Sequence, residues 1–168
     1  MPEVAMHGQR APGAAVAWTG DPAKTGRNHA PGEVKTMPDR PLRIALVAHD
    51  AKKGALVDWA QAWRERLSRH RLCGTGTSAG EVMEACPGLR VEELLSGPKG
   101  GDLQVGARIA SRELDALVFF PDPESPHPHE NDVQALIRIS LLADIPVALN
   151  RASADHLAEA MFVVRGQG

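Results

Sequence analysis

The run Leu95-Ser96-Gly97-Pro98-Lys99-Gly100-Gly101-Asp102-Leu103-Gln104-Val105-Gly106 places a hydroxyl, closely spaced glycines and one carboxylate between an apolar, strand-like stretch and a helical pattern. Glycine lets a backbone approach a ligand closely and adopt conformations denied to other residues. Free N–H groups at a helix start favour an anion. This loop therefore suits a phosphate, with Asp102 beside whatever carries it. Asp102 has two readings. It is an N-cap for a helix starting near Leu103, or a general base whose pKa burial would raise, able to take a proton next to a carbonyl.

Other residues add to this chemistry. Thr75-Gly76-Thr77-Ser78 offers hydroxyls and backbone N–H groups at a helix start. Alone it reads as a cap; beside Ser96, Gly97 and the cation Lys53 it reads as a phosphate subsite. His49-Asp50 reads either as a ligand-contacting histidine or as a helix cap with an incidental histidine. His127-Pro128-His129, with Asp122 and Glu130, is compatible with a metal site but weakly specific for one. One of these histidines as a hydrogen-bond donor to a substrate oxygen is the preferred reading. There is no GxxxxGK[ST] loop, which excludes a P-loop nucleotide site, and no GxGxxG after the first strand to hold a dinucleotide.

These residues need elements to position them. Ile44–Ala48 is a short continuous apolar run, as in a strand buried on both faces. Leu56, Ala60, Trp63 and Leu67 recur at helical spacing. A weak strand follows at Arg71–Cys73 and a third strand at Val91–Leu95, an edge candidate because of its two Glu. Helices are expected over Ser78–Ala85, Gln104–Leu114, Asn131–Leu142 and Ala154–Phe162, and further strands over Ala116–Phe120 and Pro146–Leu149. Strand alternating with helix five times predicts an α/β, doubly wound three-layer sandwich of the flavodoxin or Rossmann type, with a five-stranded, mostly parallel sheet. Ligands bind such sheets at the carboxyl ends of the strands. Those ends carry, in order, His49, Asp50 and Lys53; Thr75 to Ser78; Ser96, Gly97 and Asp102; Asp122, His127, His129 and Asp132; and Asn150. The opposite ends carry mostly Arg and Glu of the ordinary solvated kind. His70 and His156 read as surface residues, and Trp59 and Trp63 as packing residues.

Composition narrows the class. Residues 1–40 hold five Pro and five Gly, show no sustained period, and read as a disordered N-terminal extension before a domain at 41–168. A net charge of −2 leaves no basic footprint for nucleic acid. No apolar run approaches the ~20 residues of a membrane span, and no signal-peptide core is present. Cys73 and Cys86 read as reduced thiols, and a soluble cytoplasmic protein is the default.

Taken together, Ile44-Ala45-Leu46-Val47-Ala48-His49-Asp50 with Lys53, Thr75-Gly76-Thr77-Ser78, Leu95 to Asp102, and Pro128-His129-Glu130-Asn131-Asp132-Val133 resemble the methylglyoxal synthase family. The likeness runs from about Arg43 to Ala160. It implies a flavodoxin-like, methylglyoxal synthase-like domain. It also implies a lyase that converts dihydroxyacetone phosphate to methylglyoxal and inorganic phosphate with no cofactor and no metal. The resemblance further implies a homohexamer and inhibition by inorganic phosphate. By it, Asp102 matches the catalytic base, His129 and His49 match substrate-contacting histidines, and Lys53, Thr75, Gly76, Thr77, Ser78, Ser96 and Gly97 match the phosphate subsite. Asp50, Asp122 and Asp132 match acidic residues of the same crevice. Ser78 stands where many members have Thr, and Pro121 where a bulkier residue is common. Two other readings remain: a non-catalytic effector-binding module of the same fold, and a metal-dependent hydrolase using Asp122, His127 and His129.

Overall fold

Apolar runs with no polar alternation must be covered on both faces, and the computed structural model, which describes residues 39–124 and 130–163, shows them so covered. In β1 (Arg43–Ala48), Ile44, Leu46 and Ala48 enter one core while Ala45 and Val47 enter another. The same alternation divides β4 (Ala116–Phe120): Ala116, Val118 and Phe120 join the first core, Leu117 and Phe119 the second. The first core lies under α1 (Lys53–Ala62), α3 (Gly76–Ala85) and α6 (Arg151–Ala158). The second lies under α4 (Gly101–Ala110) and α5 (Glu130–Ala143). The result is the expected three-layer arrangement of helices on both faces of a sheet.

With β2 (Arg71–Thr75), β3 (Val91–Leu94) and β5 (Val147–Ala148), the sheet has the order β3-β2-β1-β4-β5, and every pairing is parallel. Of the two doubly wound variants considered, this is the Rossmann-type order. β3 is an edge strand, as its glutamates suggested. The chain runs outward from β1 to β3 and then returns to β4 on the far side of β1. The crevice therefore opens at the carboxyl ends of β1 and β4.

Several boundaries differ from expectation for local reasons. The first helical stretch breaks at Trp63, which leaves helical geometry (φ −104°, ψ 10°) and donates its indole N–H to Asp155 at 2.9 Å; α2 (Arg64–Leu67) follows. α4 starts at Gly101, three residues early, because Gly100 supplies a left-handed N-cap at φ 93°. It ends at Ala110, and Arg112 beyond it is left-handed at φ 60°. α6 runs into a wider turn at Glu159–Val163. His70 is half-buried rather than a surface residue. Its Nδ1 accepts the Leu42 N–H at 3.1 Å, and its ring stacks on Phe162 at 4.8 Å.

The opposite strand ends also hold more than solvated charge. Asp115 accepts from the side chains of Arg40 and Arg43 and from the Arg43 N–H at 2.8 Å. Burial pushes this carboxyl up. The bonds from Arg40 and Arg43 outweigh burial and hold it well below the usual carboxylate range. Among the described residues, no helix is long and apolar enough to cross a membrane.

Candidate active site

His49 follows the end of β1; its N–H donates to the Phe120 carbonyl at 3.1 Å and so joins the two strands flanking the crevice. The imidazole meets Phe119 edge-on, with ring centroids 5.4 Å apart. Its Nδ1 accepts the Asp122 N–H at 3.0 Å. A nitrogen that accepts carries no proton, so neutral His49 bears its proton on Nε2.

One turn, Asp50–Lys52, leads from His49 into α1. Lys53 opens that helix with its ammonium 2.6 Å from Asp50 Oδ1 and 3.4 Å from Glu81 Oε1, its side chain only 11% exposed. Burial would lower its pKa; the two carboxylates more than offset that and raise it, so the cation is secure. Glu81 was not anticipated. It lies four residues after Thr77 on α3, hence on the same helix face, but its pairing with Lys53 needed the packing of α1 against α3.

β2 passes directly into α3 at Thr75 and Gly76, and no side chain caps that helix. Gly76 N–H reaches the Leu95 carbonyl at 3.2 Å. Ser78 is 1% exposed. Its hydroxyl lies 3.3 Å from both the N and the O of Ala48 and 3.2 Å from Thr75 Oγ1. It thus accepts from one Ala48 group, donates to the other, and braces the start of α3 against the end of β1.

After β3, Ser96 is extended (φ −65°, ψ 154°) and a tight turn spans Gly97–Lys99. A Cβ on Gly101 would lie 1.8 Å from the Leu95 carbonyl oxygen. The absence of that atom lets α4 begin hard against the end of β3, which brings Asp102 to the crevice. Since Gly100 is the N-cap, the capping reading does not hold for Asp102. It lies inside the first turn, where its Oδ1 accepts the adjacent Leu103 N–H at 3.0 Å, and an acidic group there is favoured by the helix dipole.

A cavity of about 150 Å³ joins these parts. Its polar wall is His49, Asp50, Thr75, Thr77, Gly97 and Asp102, with Pro98 between. Its apolar wall includes Val47, Phe119, Val133 and Leu136. The volume suits a small metabolite and falls below the ~300–1,000 Å³ of larger ligand clefts. Lys53, Gly76, Ser78 and Ser96 do not line this cavity; Lys53 pairs with Asp50 and Ser78 bonds Thr75, both in the wall. Asp122 contributes its backbone N–H to His49 and its carboxylate to Lys52, 3.8 Å away. Asp132 falls in the first turn of α5, and His127 and His129 lie outside the described residues. Asn150 serves structure, since its side chain accepts the Ser153 N–H at 2.9 Å and caps α6. Among the described residues, no group of three or more His, Cys, Asp or Glu is placed to hold a metal ion. Chemically, the site brings hydroxyls and an uncapped helix start, a carboxylate and an imidazole around a small volume.

Comparison with known proteins points the same way. Residues 55–149 match the MGS-like domain family. The chain is 50% identical over 120 residues to a methylglyoxal synthase from Brucella ovis, covering 71% of this chain and 96% of that protein. It is 52% identical over 116 residues to a methylglyoxal synthase from Agrobacterium fabrum, covering 69% and 91%. The crystal structure of methylglyoxal synthase from Elizabethkingia anophelis NUHP1 superposes with a TM-score of 0.68 at 43% identity, covering 74% of this chain and 80% of that one. With a family match over more than half its length and relatives half identical over nearly all of theirs, the chain belongs to the methylglyoxal synthase family.

Proposed function

We propose that the protein converts dihydroxyacetone phosphate to methylglyoxal and inorganic phosphate, with chemistry supplied by its own side chains. The observation that carries this reading is the single cavity where Asp102, His49, Thr75, Thr77 and Gly97 meet, in a chain of this family.

The substrate's phosphate lies on the hydroxyls and N–H groups of Thr75, Thr77 and Gly97, with Lys53, Gly76, Ser78 and Ser96 supporting that corner. Asp102 takes a proton from the hydroxymethyl carbon. The electron pair left behind forms an enediolate, whose oxygen is stabilised by N–H donors: His49 through Nε2, and His129 by family resemblance. The enediolate then collapses with cleavage of the carbon–oxygen bond to phosphate. Inorganic phosphate leaves with that electron pair, and the enol tautomerises to methylglyoxal. Asp50 lines the same crevice and Asp122 supports it through His49; Asp132 belongs to it by family resemblance.

Product phosphate competes with substrate for the same corner. The protein works in the cytoplasm as a homohexamer. Leu103, Leu141 and Leu142 support an assembly, being 64%, 72% and 65% exposed on α4 and α5.

The test mixes the protein with dihydroxyacetone phosphate, with and without EDTA, and follows methylglyoxal and phosphate together. Equal release insensitive to EDTA supports the lyase. No release with saturable binding of a phosphorylated ligand would move the chain to an effector-binding module. Release abolished by EDTA would favour a metal-dependent reaction.

A further inference from the structure

We infer that Gln104 is a positioning residue for the phosphate subsite, acting through Leu95. The inference rests on the phosphate reading of the cavity and adds to it a residue that never touches the ligand. Gln104 closes the first turn of α4, its N–H on the Gly100 carbonyl at 3.1 Å. Its side-chain Oε1 accepts the Leu95 N–H at 2.8 Å. Leu95 in turn gives its carbonyl to Gly76 N–H, the first residue of α3, at 3.2 Å. One residue therefore links the two anion-facing turns: the one entering α3 at Thr75 to Thr77, and the one leaving β3 at Ser96 and Gly97.

Leu95 needs such a tether because the ladder has already ended. The β2–β3 register stops at Thr75 paired with Leu94, and among the described residues β3 has no outer neighbour in the sheet. The Leu95 N–H lies beyond that ladder and takes a side-chain acceptor instead. The turn it anchors is tightly wound, with the Ser96 carbonyl accepting from Lys99 and Gly101 and the Gly97 carbonyl from Gly100. A shift at Leu95 therefore moves Gly97 as part of a unit. Because the Gln104–Leu95 bond is exposed, water replaces the lost acceptor and the fold loses little. Alignment of N–H groups on a phosphate tolerates displacement far less.

The test compares Gln104→Met with Gln61→Met. Both remove one exposed side-chain-to-backbone bond; Gln61 donates to the Ala85 carbonyl at 3.2 Å, on α1 and away from the cavity wall. Inorganic phosphate affinity is measured by calorimetry beside KM, kcat and Tm. Gln104→Met should weaken phosphate binding and raise KM in parallel, each roughly 3- to 10-fold, with kcat falling less. Gln61→Met should cost a similar Tm and leave both constants unchanged. Wild-type phosphate affinity in Gln104→Met, with the wild type binding normally, overturns the role of Gln104 alone. A wild-type protein that binds no phosphate overturns the phosphate reading as well.

Discussion

The Asp122 backbone N–H donates to His49 Nδ1 at 3.0 Å, so the loop after β4 sets the tautomer of a side chain at the end of β1. A backbone donor cannot be reversed by rotating a side chain. The proton is therefore kept on Nε2, which makes that nitrogen the ring's donor. The His49 N–H reinforces the link by bonding to Phe120 at 3.1 Å.

Asparagine tests this division of labour within His49. Its side-chain oxygen falls near the place of Nδ1, while nothing replaces Nε2. His49→Asn should keep its Tm close to wild type and lose about 10²-fold in kcat/KM, the scale for one donor to a developing oxyanion. Steady-state kinetics with thermal denaturation check this; unimpaired turnover would remove His49 from the chemistry.

Asp102→Asn should abolish turnover, by about 10²-fold or more, the contribution typical of a general base. Phosphate affinity should persist because the phosphate corner is built by other residues. Calorimetry with inorganic phosphate and a coupled methylglyoxal assay separate the two effects.

Two glycines of one loop should respond oppositely to alanine. Gly101→Ala drives a methyl into the Leu95 carbonyl, where a Cβ would lie at 1.8 Å. It should cost about 3 kcal/mol or more and displace Asp102. Gly97→Ala meets nothing within 4 Å and should stay within about 0.5 kcal/mol of wild type. Chemical denaturation of both variants measures the contrast.

Asp115 should make stability depend on pH in acid. Its folded-state pKa is depressed, since the bonds from Arg40 and Arg43 overcome burial. Its contribution is therefore complete above the unfolded carboxylate value of about 3.9 and disappears as pH falls through the folded value. Asp115→Asn should cost about 2 kcal/mol at pH 7. The gap between variant and wild type should close below about pH 4. Urea denaturation across pH gives the curve.

Much of the frame was legible in order of residues alone. Continuous apolar runs at Ile44–Ala48 and Ala116–Phe120 dictated strands covered on both faces, because unalternated strands have no side to offer water. The strand-end rule then gathered His49, Asp50, Thr75, Thr77, Gly97 and Asp102, which the fold does bring to one cavity. Element ends were less legible. Gly100 and Gly101 start α4 early because of one left-handed residue and one missing Cβ, and the second depends on how close the end of β3 stands.

Partnerships needed the tertiary structure. The linear sequence determined the alternating α/β architecture and the types of residue at each strand end, since periodicity and composition are local properties. Only the folded chain decided that Ser78 braces β1 rather than lining the cavity, that Glu81 holds Lys53, that Gln104 reaches Leu95, and that Asp115 pairs with Arg40 across 75 residues. Hydrogen bonds and ion pairs act over about 3 Å, and which groups come that close is set by crossovers and helix packing, not by sequence neighbours.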